Sequence, residues 1–140
     1  MRFDATDYEN LTEGQQFSPV EFSVTESMKE SFQSCFHVDD RQLADAGLPK
    51  DEDGFVNPVL VANFTAMKAA LIWPTGVLHA REQMRCHEPV ACGEPLRIEM
   101  RLKQKFVKNG RKFAVLAIEV HKAASGSVAL EVERTLVWPQ

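Results

Sequence analysis

The sequence lacks several features that define common functional classes. Its three cysteines form no C-x-x-C pair, and it contains neither a glycine-rich phosphate loop nor a nucleophile elbow. An odd number of cysteines without such a pair is typical of free thiols in a reducing compartment. The net charge is −4, so general attraction to nucleic acid is not expected. These absences argue against a disulfide scaffold, a phosphate-loop protein and a nucleic-acid-binding protein.

Long hydrophobic runs are also missing. The first ten residues contain neither an apolar run nor a basic patch, so we expect no secretion signal. The most apolar stretch, Asn57 to Pro74, is shorter than the about 20 residues of a membrane-spanning helix and contains Lys68. The hydrophobic fraction of 44% and the charged fraction of 26% are ordinary for globular proteins. We therefore expect one cytoplasmic domain over residues 1–140, in which residues 1–16 form a polar N-terminal arm.

The stretch from Asn57 to Pro74 predicts a central buried helix over about residues 58–72. Asn57 suits the N-cap, and Pro58 suits the first helical position, where a missing N–H costs nothing. Pro74 disfavours a helical conformation at Trp73. Because this helix is apolar on most sides, the remainder of the chain has to cover it on most sides.

Shorter elements precede the central helix. Alternating apolar residues predict a first strand over 17–25. Ser27 and Glu30 form a capping box that predicts a helix ending near Phe36. Its apolar side is expected to contain four residues. They are Met28, Phe32, Cys35 and Phe36. A second helical turn is predicted over 40–46, before a loop.

After Pro74 the apolar residues recur every second position, which predicts four long strands. The predicted ranges are 78–91, 96–107, 111–122 and 127–138. Asn109-Gly110 predicts a tight hairpin, because both residues tolerate positive φ. The strand over 111–122 is apolar on both faces, which indicates that a partner subunit covers its second face. The predicted fold is α+β: a long antiparallel β-sheet wrapped around one central helix.

Glu82 interrupts the apolar face predicted for strand 78–91, which Leu78 and Met84 share, while His79 is expected on the opposite face. A carboxylate in such a place needs a partner or a raised pKa, which makes it a candidate for catalysis. A local bulge that turns Glu82 outward is the alternative.

Two further clusters have simpler interpretations. The hairpin region 97–112 is rich in Arg and Lys, which is typical of a solvated face but could also hold the phosphates of a ligand. Cys86, His87 and Cys92 do not have the spacing of a metal site, since neighbouring strand residues point to opposite faces. No metal is expected.

The order of elements resembles the hotdog fold, and several local motifs resemble MaoC-like hydratases and dehydratases. His37-Val38-Asp39 resembles their H-x-D stretch, and Pro58-Val59-Leu60-Val61-Ala62-Asn63 takes the place of their P-x-A-H-G-M helix start. Further downstream the likeness continues in four segments. They are Gly76-Val77-Leu78-His79, Glu88-Pro89-Val90, Gly93-Glu94-Pro95-Leu96 and Asn109-Gly110-Arg111. The likeness spans about residues 17–138 and is greatest to the degenerate N-terminal half-domain of two-domain members.

This resemblance implies an acyl thioester, carried on coenzyme A or an acyl carrier protein, as ligand, and no permanently bound cofactor. In the family, an Asp and a His activate water, while an amide at the start of the central helix polarises the thioester carbonyl. Here Phe32 stands where the catalytic Asp is expected, and Val61-Ala62 replaces His-Gly. The candidate catalytic residues are His37, Asp39 and Glu82. The candidate substrate-binding residues are Asn57, Val61, Ala62, Asn63, Arg101 and Lys103.

Several functions fit this resemblance. The chain could be an (R)-3-hydroxyacyl dehydratase or enoyl hydratase, or the non-catalytic partner subunit of one. An acyl-CoA thioesterase that uses Glu82 or Asp39 and a non-enzymatic acyl-CoA-binding protein are the alternatives. The expected partners are the acyl thioester and a second hotdog chain, in a homodimer or a heterodimer, with neither nucleic acid nor membrane.

Overall fold

The computed structural model describes residues 7–36, 41, 45, 55–68 and 74–140, with the backbone alone for residue 36 and residues 64–68. Most of the turn predicted over 40–46 and the last residues predicted for the central helix lie outside these ranges. No helix within the described ranges has both the length and the apolar character needed to cross a membrane.

The fold consists of one five-stranded antiparallel sheet and two described helices. After a 3₁₀ turn at Tyr8–Asn10, the elements are β1 (Val20–Phe22), α1 (Glu26–Phe36), α2 (Pro58–Lys68), β2 (Leu78–Cys86), β3 (Leu96–Lys108), β4 (Arg111–Lys122) and β5 (Val128–Val137). The strand order is β1-β3-β4-β5-β2, and every neighbouring pair is antiparallel. The predicted α+β fold is confirmed.

The core lies between the inner face of the sheet and helix α2. The inner face of β4, the central strand, is buried at four alternating positions. They are Ala114, Leu116, Ile118 and Val120. Leu60, Val61 and Ala62 of α2 belong to the same buried cluster. Helix α2 therefore supplies the apolar layer that this face of the sheet requires.

Two predicted local structures are confirmed. Asn109 and Gly110 have φ values of 51° and 72°, as a two-residue hairpin between β3 and β4 requires. Asn57 caps helix α2, because its Oδ1 accepts a hydrogen bond of 2.9 Å from the backbone N–H of Val59. The start of the central helix is thus fixed by the residues that predicted it.

Helix α1 departs from its prediction at two points. The cap is Thr25 rather than Ser27, since Thr25 Oγ1 accepts a hydrogen bond of 3.2 Å from the N–H of Met28. Cys35 is exposed, whereas Met28 and Phe32 pack against the core. The helix begins at Glu26 and not at the predicted Met28, so the capping residue is the one that precedes Glu26.

The described part of the N-terminal arm, residues 7–16, contributes two side chains to the core. The side chains of Tyr8 and Leu11 are buried. The Tyr8 hydroxyl lies 3.1 Å from the carbonyl oxygen of Phe106 and 3.0 Å from that of Phe113, and it donates its single proton to this pair. Residues 14–17 continue the edge of the sheet by backbone hydrogen bonds to β3. The arm therefore closes the end of the sheet near the β3–β4 hairpin.

Candidate functional site

A β-bulge in the edge strand β2 determines which of its side chains meet. The register shifts between His79 and Arg81, so that His79 lies opposite Leu136 and Glu82 lies opposite Arg134. In a regular strand, residues three apart point to opposite faces. The extra residue, Ala80, brings His79 onto the same face as Glu82. The sequence prediction that His79 points away from this face is therefore wrong.

Glu82 lies on the inner face of the sheet, and its carboxylate is held by a buried guanidinium. Arg134 Nε donates to Glu82 Oε2 at 2.7 Å, and Arg134 Nη2 donates to the carbonyl oxygen of Ala62 in helix α2 at 2.9 Å. The alternative of a bulge that turns Glu82 outward is wrong, because the bulge falls before Glu82 and leaves it facing Arg134. This partly buried charge pair links β2, β5 and α2.

His79 contacts the same carboxylate oxygen from the solvent side. Its Nε2 lies 2.9 Å from Glu82 Oε2. The exposed fraction of the side chain falls from 51% for His79 to 22% for Glu82 and 6% for Arg134. The three side chains, which we call the β2–β5 relay, therefore form a row from the surface to the core.

The predicted substrate-binding residues of helix α2 are distant from this row in sequence, but one of them, Ala62, contacts it in space. Val61 and Ala62 have buried side chains, whereas Asn63 is exposed. Any ligand contact at Val61 or Ala62 would have to use the backbone. Ala62 connects the two groups of residues, because its carbonyl oxygen accepts the hydrogen bond from Arg134.

Arg101 and Lys103 do not join this site. Both line a groove of about 850 Å³ on the outer face of the sheet, opposite helix α2. Lys103 Nζ contacts Glu133 Oε2 at 2.6 Å across that groove. The sheet itself separates these cations from Asn57 and Asn63, so the structure does not bring the predicted binding residues together in one place. His37 and Asp39 lie outside the described residues, and their roles stay predictions.

The fold is similar to that of several solved structures. R-hydratase PhaJ1 from Pseudomonas aeruginosa aligns with 22% identity over 95% of this chain and 85% of its own, with a TM-score of 0.71. The MaoC-like dehydratase from Rhodospirillum rubrum aligns with 16% identity over 95% and 97%, with a TM-score of 0.69. The HadBC (3R-hydroxyacyl-ACP dehydratase) complex from Mycobacterium tuberculosis aligns with 17% identity over 89% and 96%, with a TM-score of 0.62.

The chain has the hotdog fold. The likeness covers most of this chain and most of each similar structure, so the sheet and helix α2 are shared as one unit. No protein-family model and no curated protein sequence matches the chain. The structural likeness agrees with the resemblance to MaoC-like proteins that the sequence motifs indicated.

One further group of side chains on this hotdog chain has the composition of a cation site. Within the described residues, ligand atoms of Glu99, Glu119 and His121 lie within 4.8 Å of one another on the outer face of the sheet. His121 Nε2 is 3.1 Å from Glu119 Oε2 and 3.6 Å from Glu99 Oε2. Glu99 also binds Arg97 at 3.1 Å. These contacts already satisfy the three groups within the protein.

Two of the three thiols, those of Cys86 and Cys92, are poor candidates for nucleophiles. Burial raises the pKa of the Cys86 thiol, and burial together with a hydrogen bond to Glu26 raises the pKa of the Cys92 thiol. A raised pKa lowers the fraction of the reactive thiolate at neutral pH. All three cysteines are free, as predicted from their number and spacing.

Sequence reasoning missed Arg134 and misplaced His79. Arg134 interrupts the apolar face of β5 between Val132 and Leu136, as Glu82 interrupts that of β2. Two opposite charges on two apolar faces were a signal for a buried pair. Recognising it required knowing that β2 and β5 are neighbours in the sheet.

Proposed function

We propose that this chain binds acyl thioesters carried on coenzyme A or an acyl carrier protein, as a MaoC-like (R)-3-hydroxyacyl dehydratase or enoyl hydratase, or as the partner subunit of one. The observation that carries the proposal is the similarity of its fold, over 95% of the chain, to a protein named as an R-hydratase. No permanently bound cofactor is part of the proposal.

We place the thioester carbonyl of the ligand at the N-terminus of helix α2. A helix N-terminus offers backbone amides and the positive end of a dipole to an oxygen that becomes negatively charged. Asn57 fixes this end of α2, and the buried side chains of Leu60 and Val61 anchor the first turn in the core. The first turn of the helix is thus held by both its cap and its packing.

The surroundings of Glu82 argue against this residue as the carboxylate of a thioesterase. A thioesterase of the kind considered from the sequence needs a carboxylate that attacks the carbonyl or activates water. The Oε2 atom of Glu82 already accepts from Arg134 at 2.7 Å and lies 2.9 Å from His79 Nε2. A carboxylate oxygen with two such partners is a weaker nucleophile, so we do not expect Glu82 to drive thiol release.

The free edge of β2 supports a second hotdog chain as partner. Within the described part of the chain, β2 pairs with β5 alone, and two of its apolar side chains are exposed, Leu78 by 62% and Met84 by 38%. An unpaired edge with apolar side chains readily pairs with another chain. The partner can be a second copy or a different hotdog chain; the similar HadBC protein is named as a complex.

Hydration is tested by incubating the purified chain with a short enoyl-coenzyme A. Loss of the conjugated double bond and release of free thiol are followed in the same sample. We expect the double bond to be lost without thiol release. Thiol release would identify a thioesterase, whereas binding without either signal would identify a partner subunit or a non-enzymatic binding protein.

The partner is tested by light scattering on the eluted peak of a sizing column. We expect a dimer mass for the chain alone or after addition of a second hotdog chain. Leu78→Lys places a charge on the edge of β2 and should produce the monomer. A monomer mass for the wild-type chain, both alone and mixed with a second hotdog chain, would contradict the proposed assembly.

A further inference from the structure

The β2–β5 relay has features that a structural ion pair does not need. Arg134 and Glu82 satisfy each other without a histidine, since their contact of 2.7 Å already pairs the two charges. The bulge at Ala80 nevertheless interrupts the ladder of β2 and turns His79 onto the same carboxylate oxygen. Bulges often redirect a side chain next to an active site.

The carboxylate fixes the tautomer of the imidazole. A carboxylate oxygen accepts hydrogen bonds, so Nε2 of neutral His79 carries the proton and donates to Glu82. The lone pair of neutral His79 is then on Nδ1. Nδ1 has no hydrogen-bond partner among the residues that the structure describes, and half of the side chain is exposed. The free lone pair is therefore available to a ligand at the surface.

The other described histidines lack this support. His87 pairs with Glu131 and His121 with Glu119, but both carboxylates are more than 40% exposed and neither is held by a buried cation. Glu82 is held by Arg134, which in turn is fixed to the carbonyl oxygen of Ala62. Of these three imidazoles, only that of His79 is connected to the central helix, through the Glu82 carboxylate and then the Arg134 guanidinium.

We propose that His79 is a general base in this chain, and that Glu82 and Arg134 are its positioning residues. This inference rests on the proposed hydration of enoyl thioesters. A base oriented by a carboxylate that is itself held in place is a recurrent arrangement in catalysis. The row reaches Ala62, which immediately precedes the exposed Asn63 of α2. The relay therefore adjoins the helix that would polarise the thioester.

The step balances without any further reactant. His79 Nδ1 takes a proton from water while the water oxygen forms a bond to C3 of the enoyl chain. The electrons of the double bond move toward C2 and the thioester carbonyl. The proton on Nδ1 then passes to C2, which regenerates the neutral imidazole and yields the 3-hydroxyacyl thioester.

The experiment compares three variants with the wild-type chain, using a short enoyl-coenzyme A. We expect His79→Ala to lower the hydration rate by about 10²- to 10⁴-fold, the range for a general acid or base. Free imidazole should restore part of that rate. Glu82→Gln should lower the rate at least about tenfold, because it no longer fixes the imidazole. His87→Gln, the matched control from the outer face, should keep the wild-type rate.

A second readout does not depend on activity. Nitrogen chemical shifts of the His79 ring should report the tautomer protonated on Nε2 in the free wild-type protein, and a mixture of tautomers in Glu82→Gln. An unchanged tautomer in that variant would contradict the positioning role even if the rate fell.

The outcomes separate the two proposals. A wild-type chain that binds the thioester but does not hydrate it, or a His79→Ala variant with the full rate, overturns the base and leaves thioester binding intact. A wild-type chain that does not bind the thioester overturns the proposed function, and the base with it. Lost activity, imidazole rescue and the Nε2 tautomer together support the proposal.

Discussion

Mutations that remove one member of the ion pair between Arg134 and Glu82 should lower the free energy of unfolding substantially. Arg134→Met removes the charge but keeps an unbranched side chain of similar length. It leaves the Glu82 carboxylate without its guanidinium, and it removes the hydrogen bond from Arg134 to the Ala62 carbonyl oxygen. Glu82→Leu does the reverse and leaves a guanidinium that is 94% covered without its carboxylate.

The expected loss follows from the exposure of the two partners. Breaking a buried ion pair by removing one partner costs about 3–5 kcal/mol. Glu82 is partly exposed and keeps His79 as a partner, so Arg134→Met should cost roughly 3 kcal/mol, at the low end of that range. Over 140 residues this corresponds to a fall in Tm of about 10 °C. Glu82→Leu should cost as much or more.

The double variant distinguishes a coupled pair from two separate contributions. Replacing both members of a buried pair by apolar residues is often nearly neutral, so Arg134→Met with Glu82→Leu should lie within about 1.5 kcal/mol of the wild type. Urea unfolding at one protein concentration measures all four forms, because a dimer makes stability depend on concentration. Additive losses in the double variant would refute the coupling.

Other predictions concern single contacts. Asn57→Ala should cost about 1 kcal/mol of stability by removing the cap of α2, whereas Asn57→Ser should keep most of that stability. Equal urea midpoints for the wild type and the two variants would contradict the role of Asn57 as a cap. Tyr8→Phe should cost about 1–2 kcal/mol of stability, because two partly buried carbonyl groups lose their hydroxyl donor. A loss below about 0.5 kcal/mol would mean that water replaces the hydroxyl. A hydrogen bond from His87 lowers the pKa of Glu131 from its ordinary value of 4.5. The stability from this contact is present above pH 4.5 and is lost as pH falls through the lower folded value, so an NMR titration of His87→Gln should show the Glu131 midpoint rising toward 4.5.

Most of the fold could be predicted because its signals are local. Alternation of apolar residues predicted β3, β4 and β5 to within a residue or two, and Asn109-Gly110 predicted the hairpin. The cap at Asn57 and Pro58 needed only two neighbouring residues. Such signals depend on backbone conformations that the residues themselves impose.

The candidate site was harder to predict because it depends on which strands are neighbours. Glu82 and Arg134 are 52 positions apart, and no local pattern reveals that β2 pairs with β5. The bulge at Ala80 reverses the face of His79, and a one-residue shift of that kind leaves no mark on the alternation before it. The charges of Arg101 and Lys103 predict contacts to the phosphates of a ligand, but they do not reveal that the sheet separates these residues from helix α2.

Binding of an acyl thioester tests the central claim most directly. Calorimetric titration of the purified chain with a short saturated acyl-coenzyme A, which has no double bond to hydrate, and with free coenzyme A as control, measures whether the acyl group is recognised. We predict a Kd below about 1 mM for the thioester, in the usual range of substrate affinities, and weaker binding of coenzyme A alone. Equal affinity for both compounds, or no binding of either, would contradict the claim that this hotdog chain recognises acyl thioesters.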